Sequence, residues 1–191
     1  MFILGSSSPR RKELLLSIGI SADLVVGPEI DETPLIREKP RPYVWRMATE
    51  KNAAIQRAPI DIVLTADTIV TCGTRILGKP KNREMARRYL ELLSGRRHNV
   101  VTAVVVSSEN INRQRIVETR VKMKNLSDSE IDWYLETNEW KGKAGGYAIQ
   151  GKAAVLIPFI SGSYTNVMGL PLAETANILR SVGYGLLQKE G

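Results

Sequence analysis

The chain has 191 residues, 43% hydrophobic and 25% charged, enough for one sizeable core or two lobes sharing one. Its net charge of +7, from 27 basic against 20 acidic residues, favours an anionic partner such as a nucleotide, a nucleic acid or a phospholipid surface. A single cysteine, Cys72, excludes an intramolecular disulfide framework and a cysteine zinc site, and no apolar stretch nears the ~20 residues that span a bilayer.

Met1 to Leu4 reads as a buried strand, too short and too weakly basic at its start for a secretory signal, so a cytoplasmic location is expected. A serine-rich turn follows, then a helix from Pro9 to Ser17 that stops near Gly19. Leu24-Val25-Val26 predicts a short strand, and residues 28–34 a loop. Residues 42–57 predict a helix in which Val44, Met47, Ala48, Ala54 and Ile55 share one face, with Lys51 in its middle and Arg46 and Glu50 one turn apart at its flank. Residues 61–70 form a β-branched run expected to be a central strand, followed by a turn at Cys72 to Arg75 and a loop at Gly78 to Lys81. A helix over 83–93 stops at Ser94-Gly95. Strands over 100–107 and 115–123, joined by the polar 109–114, read as an antiparallel pair. Ser127 to Glu130 is a capping box opening a helix to Asn138. The glycine-rich 141–147, a strand over 153–160 and a helix from Pro171 to Val182 complete the chain. This alternation argues an α/β architecture with a mixed sheet, and no linker divides residues 1–191 into separate domains.

The first candidate site is the turn into the first helix. Ser8 is placed as N-cap, so Arg10 and Arg11 stand at the positive end of the helix dipole, where a cation is disfavoured by roughly 0.3–1 kcal/mol. Arginines there either extend into solvent or join the hydroxyls of Ser6 and Ser8 and the turn amides in holding a phosphate. Lys51, on an apolar face, either reaches the rim or meets a buried anion, and Lys79 is a further loop cation. Asp67 follows the apolar Ile62 to Leu64, where a strand's carboxyl end would place a general base or metal ligand, or merely a turn acid. Asp31 and Glu32 are either a solvated pair or, with Asp67, a site for Mg2+ or Mn2+. His98, the lone histidine, has no nucleophile elbow to serve and reads as structural. Cys72 and the three tryptophans, Trp45, Trp133 and Trp140, read as packing residues.

Taken in order, Ser6-x-Ser8-Pro9-Arg10-Arg11, Asp31-Glu32-Thr33-Pro34, Glu50-Lys51, Ala66-Asp67-Thr68, Gly78-Lys79-Pro80, Leu93-Ser94-Gly95, Ala144 to Gly151 and Gly162 to Pro171 form a pattern over nearly the whole chain. The pattern resembles the Maf family of nucleoside triphosphate pyrophosphatases, once named for septum formation. The resemblance implies an elongated mixed sheet flanked by helices, in two lobes with a central cleft, like the inosine triphosphate pyrophosphatases. It implies a cytoplasmic, often homodimeric enzyme that needs a divalent cation (Mg2+, Mn2+ or Co2+) and cleaves between the α- and β-phosphates, with no nucleic acid or membrane as partner. Asp67 matches the family's catalytic acid, and Arg10, Arg11, Lys51 and Lys79 match its phosphate-binding cations; Ser6 and Ser8 are expected to join them, and Glu32, with Glu50 as the alternative, is expected to share the metal with Asp67. At Arg10, Thr68 and Gln150 the chain resembles members acting on dTTP and UTP, whereas members preferring 7-methyl-GTP carry Trp, Gln and Glu there. The family usually has Asp where this chain has Gly142. Two rival functions are a pyrophosphatase for modified nucleotides and a non-catalytic nucleic-acid-binding or cell-division protein, which the charge alone would also fit.

Overall fold

The computed structural model describes residues 1–109 and 111–185. Strand β1 (Phe2–Gly5) is buried at every position, as befits a strand inside a sheet rather than at its edge. It pairs in parallel with β2 (Leu24–Val26) on one side and β3 (Ile62–Cys72) on the other. Helix α1 (Pro9–Leu16) links β1 to β2, and α2 (Pro40–Ala53) precedes β3. The short β4 (Arg75–Leu77) folds back antiparallel on β3 through Gly73, whose φ of 61° suits a tight hairpin turn. Then come α3 (Arg83–Leu93), β5 (Arg97–Ser108), β6 (Ile111–Lys122) and α4 (Asp128–Glu136). After these, β7 (Phe159–Ser161) pairs antiparallel with β6, and α5 (Tyr164–Met168) and α6 (Leu172–Ser181) follow. The sheet runs β2-β1-β3-β5-β6-β7, with β4 also on β3: seven strands among the described residues, in the mixed α/β arrangement expected.

The chain forms two compact units. The first comprises Met1–Asp67, Thr102–Val117 and the segment from Gly169 onward; the second comprises Thr68–Val101 and Glu118–Met168. In the first, Ile3, Ile55 and Val63 pack together against Val26. Buried Asn52 reinforces this packing: its amide donates to the Val63 carbonyl (3.3 Å), and its carbonyl accepts from Ser107 (2.7 Å) and Arg57 (3.1 Å). In the second, Leu90, Leu93, Met123, Tyr134, Leu135 and Trp140 belong to one core cluster. Helices α3 and α4 are tied at their surface by Arg87 to Asp132 and Arg83 to Glu136.

Several expected elements are shifted. Helix α2 begins two residues early, because Pro40 and Pro42 fall in a first turn whose N–H groups need no partner, and it ends at Ala53 rather than residue 57. The expected strand over 153–160 is instead a 3-10 turn, Lys152–Leu156, followed by β7. Ala153 and Leu156 are buried while Ala154 and Val155 are exposed, the three-residue period of a 3-10 helix. Of the tryptophans only Trp140 is buried; Trp45 and Trp133 are exposed. Asp67 lies in the middle of β3, not at its end, since Thr68 to Cys72 extend the strand to pair with β4. It is the end of β1 that matters: the last β1–β3 pair is Gly5 with Thr65, so Asp67 lies two residues beyond it.

Candidate active site

Helix α2 is stitched to β3 by the Thr65 hydroxyl, which donates to the Ala48 carbonyl (2.8 Å), and by Asn52. That registration brings Lys51 of α2 onto Asp67 of β3. The Lys51 ammonium lies 2.6 Å from Asp67 Oδ1 and 2.7 Å from Glu32 Oε1. Lys51 and Asp67 are only 12% and 14% exposed, whereas Glu32 is half-exposed at 51%. Lys51 therefore does what an ammonium on an apolar helix face must do if it does not reach solvent: it meets carboxylates.

Arg11 turns inward. Its Nε donates to the Gly169 carbonyl (2.9 Å) and its Nη1 to Ser6 Oγ (3.0 Å). Burial holds this guanidinium below its ordinary pKa, against the opposing pull of Asp67 and Glu32. Ser6 Oγ also accepts from the Ser8 amide (3.2 Å), fixing the turn. Ser8 occupies the N-cap with an extended backbone, but its side chain makes no capping bond. Arg10, the next residue outward, is half-buried. Gly5 opens the turn because a Cβ there would come within 2.6 Å of the Thr65 side chain.

The loop that carries Glu32 is anchored by residues that sequence reading missed. The Tyr43 hydroxyl donates to the Glu32 carbonyl (2.8 Å), and burial, with Asp67 and Glu32 nearby, pushes the Tyr43 pKa up to about 12. Arg46 grips the Glu38 carboxylate with two bonds (2.8 and 2.7 Å), donates to the Thr33 carbonyl (3.0 Å) and reaches Glu50 (3.3 Å). Its guanidinium holds the Glu38 carboxyl down to about 2. Asp31, expected beside Glu32 as a metal candidate, instead accepts from the Thr33 amide (2.9 Å) as an exposed turn acid. The Arg46–Glu50 pair was visible one turn apart, but Glu38 lies outside the helix and left no periodic signal.

No group of three or more His, Cys, Asp or Glu side chains placed to hold a metal ion occurs among the described residues. Asp67 and Glu32 nevertheless converge on one positive charge. Two carboxylates completed by substrate phosphate oxygens are a customary donor set for Mg2+, so these residues fit a substrate-bridged ion rather than an all-protein cage.

The model of the family described as Maf-like protein matches residues 1–182. The chain belongs to the Maf family. A Roseobacter denitrificans relative named dTTP/UTP pyrophosphatase is 56% identical over 184 residues, spanning 96% of this chain and 98% of its own. A Cereibacter sphaeroides relative of the same name is 55% identical, spanning 96% of both. The Ham1 protein of Staphylococcus aureus shares the fold at a TM-score of 0.51 and 11% identity, covering 94% of this chain and 98% of that one.

The remaining expected site residues, Thr68, Lys79 and Gln150, lie in the second unit; Thr68 immediately follows Asp67 in sequence and is half-buried. Exposed Lys79 rides on a loop held where the Gly145 amide donates to the Gly78 carbonyl (3.1 Å); Gly145 has φ 70° and no room for a Cβ beside Val70. Exposed Gln150 tops a turn fixed by the Ala148 amide on the Tyr134 hydroxyl (3.0 Å) and the Lys152 amide on Glu139 (2.7 Å). His98 is buried against Tyr147, Nε2 to hydroxyl 2.8 Å, in the structural role expected of it.

Proposed function

We propose that this Maf protein is a divalent-metal-dependent pyrophosphatase that hydrolyses dTTP and UTP to the monophosphate and pyrophosphate. The observation that carries the chemistry is the convergence of Asp67 and Glu32 on Lys51, in electrostatic reach of buried Arg11. The pyrimidine preference rests on the activity in the relatives' names and on Arg10, Thr68 and Gln150.

Asp67 orients a water and takes its proton as the oxygen attacks the α-phosphorus. The bond from that phosphorus to the bridging oxygen breaks, and pyrophosphate leaves with the electron pair. Lys51, Arg10 and Lys79 neutralise the charge growing on the leaving group, while Ser6, Ser8 and Arg11 hold the phosphate turn in shape. Glu32 and Asp67 would hold the divalent cation (Mg2+, Mn2+ or Co2+), which supplies charge neutralisation at the phosphate oxygens. The Gln150 amide offers one donor and one acceptor, the complement of the N3–H and a carbonyl of uracil or thymine. The same reading has the enzyme work in the cytoplasm as a homodimer, without nucleic acid or membrane as partner.

The test is pyrophosphate release across dTTP, UTP, purine triphosphates and 7-methyl-GTP, with each metal in turn. Release is expected from dTTP and UTP, and Asp67→Asn is expected to lower kcat by at least ~100-fold, the usual scale for losing a general base. Release from 7-methyl-GTP alone would overturn the pyrimidine assignment. No release at all would overturn the enzymatic reading.

A further inference from the structure

We infer that Arg46 is a positioning residue for metal use: through Glu38 and Thr33 it sets the Glu32 carboxylate against Lys51 and Asp67. The inference rests on the proposed metal-dependent activity, and part of its test does not.

The loop from residue 31 to residue 37 is exposed at every position, and its large apolar side chains face solvent, Leu35 at 60% and Ile36 at 95% exposure. Apolar packing therefore does not hold it. Polar bonds do, and they gather on α2. Arg46 binds both Glu38 oxygens and the Thr33 carbonyl, and Glu38 in turn accepts from the Leu35 amide (2.9 Å). Tyr43, one helical turn before Arg46, takes the neighbouring Glu32 carbonyl. Two successive loop carbonyls are thus pinned to the helix that carries Lys51. The Glu32 side chain is itself half-exposed, so its place beside Asp67 depends on its backbone being fixed. Arg46 is suited to this task because a planar guanidinium serves a carboxylate fork and a carbonyl at once, which lysine cannot.

Two readouts test it. Trypsin reports the loop without reference to activity: Arg37–Glu38 is a cleavable bond, whereas Lys39 and Arg41 each precede proline and resist. Arg46→Ala, and equally Arg46→Lys, should cleave after Arg37 several-fold faster than wild type. The second readout is metal, by half-activating Mn2+ concentration in dTTP hydrolysis and by Mn2+ binding followed through the free-ion electron paramagnetic resonance signal. Arg46→Ala should raise both about 10-fold or more, the scale for losing a residue that orients a metal ligand. Adding Glu32→Gln should then cost less than it costs alone, because both changes remove one interaction. Tyr43→Phe, which loses a single hydroxyl, should move the same readouts more weakly and serves if Arg46→Ala does not fold. Unchanged cleavage and unchanged Mn2+ requirement would overturn the inference, as would full additivity with Glu32→Gln. If wild type released no pyrophosphate, the proposed activity would fall, while cleavage and Mn2+ binding would still decide the role of Arg46.

Discussion

Arg11 serves structure and charge at once. Its bonds to Ser6 and Gly169 make it the centre of the turn, and its charge faces Asp67 and Glu32. Arg11→Met would leave the Ser6 hydroxyl and the Gly169 carbonyl without this donor, at about 1–3 kcal/mol of stability for the buried polar groups, read from the urea midpoint. It should also raise KM for every triphosphate alike, whereas Arg10→Trp should change the kcat/KM ratio between dTTP and 7-methyl-GTP. At Gly142, where the resemblance expects Asp, φ is 68°, a left-handed position that glycine takes without strain, and nothing lies within 4 Å of where a Cβ would stand. Asp67 and Lys51 were legible because charge in an apolar pattern is conspicuous, and Glu32 only as half of an acidic loop pair. Tyr43 and Glu38 carried no signal of their own in the sequence, because their roles exist only once loop and helix meet.

Elements whose signals are local were read well. The capping box at Ser127 and Glu130 is present in both directions, Glu130 amide to Ser127 Oγ and Ser127 amide to Glu130 Oε2. Ser127→Ala should cost about 1 kcal/mol in chemical denaturation, the usual worth of such a cap, with no change in nucleotide selectivity. Helix α3 spans the expected residues, its N-cap Asn82 accepting from the Met85 amide (2.9 Å). Elements defined by a distant partner were not legible. β4 is three residues long and exists because β3 overshoots its parallel neighbour β1 and pairs with it. β7 owes its place to Arg120, Val121 and Lys122 of β6. The same overshoot explains why Asp67 was assigned to a strand end: the apolar run stops there, but the β-branched run does not.

At the scale of the molecule, the second unit carries an acid-sensitive core. His98 is buried, and burial lowers its pKa to about 4 from the ordinary 6.5. Below pH 6.5 the unfolded chain takes the proton first, so stability falls from pH 6.5 to about 4, by about 3 kcal/mol when complete. Thermal melts across that window should show the loss, and His98→Gln should flatten it. Glu38 contributes lower on the same axis: its carboxyl is held to about 2 against an ordinary 4.5, so its contribution is lost as pH falls from about 4.5 to about 2, mostly below the His98 window. The fold class was legible from alternating patterns and two lobes were expected, but the boundaries of the two units were not legible, since each is assembled from separated segments. That assembly has a consequence at the ribosome. The carbonyl that Arg11 grips belongs to Gly169, 158 residues later. At ~5–20 residues per second, a nascent chain waits on the order of 8–30 s between making the arginine and making its acceptor. The turn into α1 is thus completed by a segment translated long after it, and a product terminated before Gly169 holds Asp67 and Lys51 but lacks this acceptor for Arg11.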